Sequence, residues 1–184
     1  MKIEKTPLDG LLVIYPKVFK DPRGEFFESY RKDLLYEQGL KEDFVQDNQS
    51  VSSKNTVRGL HYQHDPYAQG KLVTVIIGKV IDVAVDIRKG SPTFGKSFAI
   101  EISDKNRLMF FIPNGFAHGF SVLEDNTVFY YKCTNYYHKE SEGGIIYNDP
   151  DINIDWKVQG PVVSEKDLKL PLFREFESPF VWKK

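Results

Sequence analysis

The chain has 184 residues, enough for one domain with a real core, and its 41% hydrophobic, 14% aromatic and 28% charged content excludes a disordered polymer. A formal charge of −1 and a pI near 6.4 supply no basic field, so nucleic acid is not an expected partner and any anionic ligand must be held by a local pocket. Cys133 is the only cysteine, which excludes an internal disulfide and a cysteine-cluster metal site and suits a reducing compartment.

The start, Met1 to Pro7, lacks the apolar run of a signal peptide, and no stretch of about 18 apolar residues occurs, so the expectation is a cytoplasmic protein with no membrane partner. Residues 11–15 and 17–19 read as short strands split by Pro16, which suits an edge position. Asp21-Pro22-Arg23-Gly24 is turn chemistry leading into a strand over 25–30. A short peripheral helix is expected over 31–38, closed by Gly39. The amide-rich run 44–51 is a strand, as is 57–63; runs 71–77 and 80–87 read as a hairpin turning at Gly78-Lys79. In the second of these, Ile81, Val83, Val85 and Ile87 alternate with Asp82, Ala84 and Asp86, one face for the core and the other for water or a polar neighbour. Strands over 97–102, 108–112, 117–123 and 127–133 follow, separated by polar turns. Ser164-Glu165-Lys166-Asp167 looks like a helix start that Pro171 ends quickly. Regular short strands indicate an all-β sandwich or barrel with few short peripheral helices. We expect a single domain over 1–184, with N-terminal strands at 1–50, the core at 51–140 and a C-terminal peripheral segment at 141–184.

The chemistry concentrates in Val57-Arg58-Gly59-Leu60-His61-Tyr62-Gln63 and the following Lys71. His61 reads either as a hydrogen-bonded structural histidine or as a proton-transfer group. Strict alternation sets Gly59, His61 and Gln63 on one face and Arg58 on the other, so Arg58 joins His61 only if the strand bulges or twists sharply at Gly59. Lys71 is either a strand-end surface lysine or a cation in a pocket. In Ile112 to Phe120 a Pro-x-Gly turn delivers His118, which can be a metal ligand, an acid or base, or packing. In the tyrosine-rich run 129–137, most rings serve packing, but Tyr131 shares parity with Phe129 and Cys133 and would enter the cavity of His61 if that face points inward.

Two strands with spaced histidines, Gly59-x-His61-x-Gln63 and Pro113-x-Gly115-x-x-His118, make the chain resemble a cupin, a small jelly-roll barrel. Where metal-binding cupins carry a second histidine and a carboxylate, this sequence has Gln63 and Lys71, poor ligands for a cation, so no metal is expected. Over nearly its whole length the chain closely resembles the dTDP-4-dehydrorhamnose 3,5-epimerase family. The resemblance rests on Lys17 to Phe19, Arg23-Gly24, Phe27 to Tyr30, Phe44-Val45-Gln46-Asp47-Asn48, Arg58 to Gln63, Ala68 to Val73, Asp82 to Arg88, Ser91 to Gly95, Ile112 to Phe120, Tyr131 to Tyr137, Ser141-Glu142-Gly143 and Trp156 through Asp167. It implies a cofactor-independent, metal-free cupin-like homodimer that inverts C3 and C5 of a dTDP-4-keto-6-deoxyhexose. It also implies roles: His61 as base, Asp167 as its carboxylate partner, Tyr131 as acid and Lys71 beside the enolate oxygen. Arg23, Glu28, Gln46, Asp47, Asn48, Arg58, Lys71, His118, Glu142 and Lys166 would surround the nucleotide sugar, with Arg23 and Glu28 serving a partner subunit's site if the N-terminal strands join the partner's sheet.

Overall fold

The computed structural model describes residues 1–183. Its strands, in chain order, are β1 (Lys2–Lys5), β2 (Leu12–Tyr15), β3 (Val18–Asp21), β4 (Gly24–Phe27), β5 (Gln46–Ser52), β6 (Val57–Gln63), β7 (Lys71–Ile77) and β8 (Lys79–Asp86). They continue as β9 (Arg88–Lys89), β10 (Ser97–Ser103), β11 (Met109–Ile112), β12 (Phe116–Val122), β13 (Thr127–Cys133), β14 (Glu142–Gly144) and β15 (Phe180–Val181). One helix, α1 (Lys32–Glu37), lies between β4 and β5, where the sequence places it, with Leu35 as its buried anchor. Two sheets carry the architecture: a six-stranded one in the order β1-β2-β11-β7-β13-β5 and a five-stranded one in the order β10-β8-β12-β6-β14. The mainly-β expectation with short peripheral helices holds. Lys184, last of the expected C-terminal segment, is outside the described residues.

Val73, Val75, Phe110 and Phe129 of the first sheet pack against Val80, Ala84, Ile102, Phe120 and Val122 of the second. Each large side chain removed from water there contributes about 1.5–3 kcal/mol. The outer faces are covered as well. α1 and its flanks seat Leu35 and Leu40 on Ile14, Leu72, Met109 and Phe111, and the chain after β14 lays Ile145, Ile152, Trp156 and Phe180 over Val57, Leu60, Val83 and Val85. Strands buried on two sides lose the simple inside–outside alternation. β8 shows this: Asp82 and Asp86, expected on a face meeting water or a polar neighbour, are both fully buried and partnered, Asp82 with His118 and Asp86 with Arg88, Ser91 and Thr93.

The expected hairpin at Gly78-Lys79 is corrected. β7 pairs with β11 and β13, whereas β8 pairs with β10 and β12, so the chain passes from one sheet to the other at Gly78. Gly78 adopts φ +86°, and a Cβ there would meet the Thr127 hydroxyl at 2.3 Å, so this corner requires glycine. The β3–β4 ribbon stands apart from both sheets, tied down by Glu25, which accepts from Arg107 Nε at 2.8 Å, and it exposes Phe19 and Phe26. The strand expected over 25–30 stops at Phe27.

Candidate active site

Between the free edge of the first sheet at β5 and the β6–β14 edge of the second lies a cleft with two lobes. The larger is a cavity of about 540 Å³ lined by Ser50, Arg58, His61, Lys71, His118, Tyr131, Lys166 and Asp167 among others. The smaller, about 250 Å³, is lined by Gln46, Asn48, His61, Gln63, Lys71, Tyr131, Tyr137 and Glu142 among others. His61, Lys71 and Tyr131 belong to both, which makes them the junction of the cleft.

His61 sits on β6, and its partner comes from 106 positions further along the chain: Nε2 lies 2.8 Å from Asp167 Oδ1. Asp167 is 4% exposed and begins a 3₁₀ turn over Asp167–Lys169. The Ser164 hydroxyl accepts from Asp167 N at 3.1 Å, the start signal that the sequence shows, and Asp167 Oδ2 accepts from Gly59 N at 3.2 Å. Burial pushes the Asp167 carboxyl up, but the His61 hydrogen bond and charge and the Gly59 N–H outweigh it, and the net shift is downward. An ionised carboxylate only accepts, so the proton shared with His61 belongs to Nε2. In the tautomer that this contact selects, the lone pair lies on Nδ1, which has no hydrogen-bond partner among the described residues.

Lys71 opens β7 on the cleft floor, and no carboxylate pairs with it among the described residues; its Nζ lies 6.0 Å from the centroid of the Tyr131 ring. Desolvation lowers its pKa against the opposing pull of Cys133, Asp82 and Glu142. Tyr131 is on the inward face of β13 with Phe129 and Cys133, and burial raises its pKa, so the phenol keeps its proton at neutral pH. His118, on β12, is the register partner of His61, and its Nε2 lies 2.9 and 3.1 Å from the two oxygens of Asp82. Desolvation lowers the His118 pKa despite that carboxylate, so the ring is neutral at pH 7. Among the alternatives for His118, this geometry selects a carboxylate-anchored group in the cavity wall.

Arg58 joins this cavity because β6 breaks register with β12 between His118 and Phe120. Gly59 adopts φ +124°, and a Cβ on it would sit 2.6 Å from Gly119 Cα; two glycines meet where the strands cross most closely. The irregularity cancels strict alternation, and Arg58 reaches the wall, held by Nε and Nη2 donating to Ser52 Oγ at 3.3 and 3.1 Å. Lys166 lines the larger lobe and pairs with Glu142 of the smaller at 2.6 Å, while the Tyr137 hydroxyl also donates to Glu142 at 2.9 Å. Gln63 is locked by structural bonds, Nε2 donating to Tyr67 O and Tyr136 O and Oε1 accepting from His138 N.

Three expected ligand residues are not in the cleft. Asp47 alternates to the exposed face of β5 and binds Lys132 Nζ at 2.8 Å and the Tyr130 hydroxyl. Arg23 pairs with Asp21 beside the β3–β4 ribbon, and Glu28 pairs with Arg31. Conversely, Ser50 and Ser164 line the larger lobe, Tyr137 lines the smaller and Asp82 anchors His118 in the wall, and none of them was named as a candidate site residue from the sequence; for Asp82, a carboxylate in the middle of a hydrophobic strand was the available signal.

Comparison with known proteins follows the same line. The sequence family described as dTDP-4-dehydrorhamnose 3,5-epimerase matches residues 5–175. A relative of that name from Shigella flexneri is 52% identical over 169 residues, covering 91% of this chain and 93% of its own. The crystal structure of a dTDP-6-deoxy-D-glucose-3,5-epimerase from Legionella pneumophila in complex with dTDP-4-keto-L-rhamnose superposes with a TM-score of 0.94 at 46% identity, covering 100% of this chain and 99% of the other. A 3'-monoepimerase from Streptomyces bikiniensis in complex with dTDP-quinovose is more distant, with 29% identity and a TM-score of 0.85, covering 91% and 85%.

Proposed function

The chain belongs to the dTDP-4-dehydrorhamnose 3,5-epimerase family, and from that premise we propose how its cleft carries out the reaction. The enzyme is an isomerase that converts dTDP-4-dehydro-6-deoxy-D-glucose to dTDP-4-dehydro-L-rhamnose, the epimerisation step of dTDP-L-rhamnose biosynthesis. Hydrogens on the carbons flanking the C4 ketone are acidic because the anion left behind is an enolate, so a base, an oxyanion stabiliser and an acid on the opposite face suffice. His61 Nδ1 takes the proton from C3 or C5; the C–H electron pair becomes the C=C bond and the C4 carbonyl pair moves to oxygen. Asp167 stabilises the imidazolium so formed. The Lys71 ammonium, free of any carboxylate partner among the described residues, faces the enolate oxygen. Tyr131 gives its phenolic proton to the other face of the carbon as the ketone re-forms, leaving the configuration inverted, and solvent takes the proton from His61 and returns one to the phenolate before the next carbon reacts.

The observation that carries this reading is the 2.8 Å His61–Asp167 pair opening onto a junction shared with Lys71 and Tyr131. Arg58 and Lys166 supply cationic donors suited to the diphosphate, and Gln46, Asn48, Glu142 and His118 supply polar contacts for thymine or sugar. The fold read this way is a cupin-like jelly roll forming one domain, and the chemistry calls for no metal and no cofactor. We assign Arg23 and Glu28 to the cleft of a second subunit; what supports the homodimer is that both are exposed, Arg23 in the turn of the β3–β4 ribbon that also exposes Phe19 and Phe26, and Glu28 just after it. Asp47 has no ligand role in this scheme. A cytoplasmic location fits the single buried thiol of Cys133. Deuterium wash-in from D2O at C3 and C5 of dTDP-4-keto-6-deoxyglucose tests the reaction; absence of exchange rejects it. A 3'-monoepimerase among the relatives gives the second reading, inversion at one carbon, which product NMR distinguishes.

A further inference from the structure

The chain leaves the first sheet at Cys133, and Thr134 N, donating to Gly70 O at 2.9 Å, makes the last main-chain rung. From Asn135 to Tyr137 no main-chain group bonds another main-chain group among the described residues, although Tyr137 lines the smaller lobe. A segment without a ladder holds one conformation only if side chains take up its polar groups. Asn135 Oδ1 accepts from Tyr136 N at 2.9 Å within the segment, and three glutamines act on it from outside. Gln69 Nε2 donates to Asn135 O at 2.7 Å, and Gln46 Oε1 accepts from Tyr137 N at 2.8 Å. Gln63 takes the groups on either side of Tyr137: its Nε2 donates to Tyr136 O at 3.2 Å, and its Oε1 accepts from His138 N at 2.8 Å. The second Nε2 hydrogen goes to Tyr67 O at 2.7 Å, which ties the loop before β7 to the same amide. Two carbonyls on one side and an N–H on the other fix which end of that amide is nitrogen. Gln63 is 6% exposed, whereas the Tyr137 ring that it flanks is 55% exposed and has its hydroxyl on Glu142.

We propose that Gln63 is a positioning residue: its amide, gripping the backbone on both sides of Tyr137, sets that ring in the wall that meets the nucleotide sugar. The inference rests on the epimerase reading above. Gln63 borders the smaller lobe, but both Nε2 hydrogens are used within the protein, so its effect passes through the backbone it holds. Tyr137 shares the wall with Gln46, Asn48 and Glu142, to which polar contacts with the substrate are assigned. Without the clamp the segment samples other conformers, and apparent affinity falls in proportion to the fraction of molecules in which the wall is formed. His61, two residues back on β6, is oriented by Asp167 and not by this amide, so the chemical step keeps its rate once substrate is bound.

The test places Gln63→Met, which keeps the length of the side chain and removes all three bonds, in wild type and in Tyr137→Ala. Alone it is expected to raise KM for dTDP-4-keto-6-deoxyglucose by about tenfold with kcat within about twofold, as for a wall formed in about one molecule in ten. In Tyr137→Ala, which has no ring to place, the same substitution is expected to change KM by less than about twofold. Amide hydrogen exchange reads the clamp without substrate: the His138 N–H is expected to exchange about tenfold faster in Gln63→Met, with Val128 to Lys132 unchanged. Equal effects on KM in the two backgrounds overturn the proposal, because Gln63 then acts directly on the substrate or through Tyr67. A fall in kcat at unchanged KM overturns it too, as does an unchanged His138 exchange rate. Should Gln63→Met melt below the assay temperature, Gln63→Glu, which turns an oxygen towards the Tyr136 and Tyr67 carbonyls, is read in both backgrounds by the same KM criteria. Deuterium wash-in by the wild type separates the two levels: its absence rejects the epimerase reading while the His138 amide still decides the clamp, whereas normal wash-in with equal KM effects in both backgrounds rejects only the role of Gln63.

Discussion

Replacing Asp167 by Asn tests the central geometry with almost no change of shape. Asp167 accepts two hydrogen bonds through different oxygens, from Gly59 N at 3.2 Å and from His61 Nε2 at 2.8 Å. The asparagine has one acceptor, and the immovable backbone N–H of Gly59 claims it, so the NH2 group falls opposite His61. Two donors cannot face each other, and the imidazole answers by moving its proton to Nδ1, the atom that must be bare to act as base. The imidazolium of the reaction also loses a charge-assisted partner, worth about 1.5–3 kcal/mol. Together the wrong tautomer and the missing charge cost about 3–5.5 kcal/mol of transition-state stabilisation, a loss of roughly 10²- to 10⁴-fold in kcat. Deuterium wash-in at C3 and C5, followed by NMR in D2O, measures the effect, with dTDP affinity as the control for an intact cleft. Exchange within about threefold of wild type in a variant that binds dTDP normally would refute the assignment of His61 as an Asp167-oriented base.

Tyr131→Phe keeps the ring packed and removes the proton, so wash-in is expected to persist while inversion slows by about 10²-fold; product NMR at normal inversion rates would remove Tyr131 from the mechanism. Lys71→Met replaces the ammonium with an apolar chain of similar length and is expected to lower kcat by about 10²- to 10³-fold, with a smaller change in dTDP Kd; a loss confined to Kd would make Lys71 a nucleotide ligand instead. Asp86, fully buried, is pulled up by burial but held below the usual carboxylate range by Arg88, Ser91 and Thr93. Its depressed pKa means that its contribution is complete above the unfolded carboxylate value near 4 and is lost as pH falls through the lower folded value. Asp86→Ala, which strands the Arg88 guanidinium, is therefore expected to cost about 3–5 kcal/mol at pH 7, or about 6–20 °C in Tm, with the gap to wild type closing below about pH 4. A gap independent of pH would show that the loss is one of packing rather than charge.

The parity of β7 and β13 survives in the structure and carries Lys71 and Tyr131 to the cleft, and His61 lies on β6 beyond the irregularity at Gly59. Arg58 was not legible, because the parity rule assumes a regular ladder and the Gly59–Gly119 approach breaks it. The same limit explains Gly78. A glycine between two β-rich runs marks a sharp change of direction, but whether the second run returns beside the first or crosses to another sheet depends on which edges are free, and that is a property of the whole topology. Asp82 escaped because alternation on β8 was read with one core in mind, whereas the strand is packed on both faces. Asp47 was included with Gln46 and Asn48 as part of one motif, although period-two geometry already sends it to the opposite face. Arg23 lies in the β3–β4 turn and Glu28 just beyond β4, and neither lines either lobe, which a motif match along one chain does not reveal.

The direction of proton flow follows from how the protein separates groups that would otherwise compete. Desolvation acts on every ionisable side chain around the junction and favours the neutral form of each. Where the chain supplies no strong partner, desolvation wins, so the Tyr131 phenol holds its proton more firmly and Lys71 less firmly; at His118 it wins even against Asp82. Where it supplies donors, as Gly59 N and His61 do for Asp167, the charged form wins despite burial. In the proposed reaction this gives a phenol that stays protonated until the enolate forms opposite it and a carboxylate that stays ionised, so that the proton leaving the sugar would stop on His61. A metal ion at the same junction would reverse this logic, because it would draw the phenol towards phenolate and repel the ammonium. Gln63, its amide fully engaged with Tyr67, Tyr136 and His138, and Lys71, without a carboxylate partner among the described residues, favour the proposed proton transfer without a metal ion.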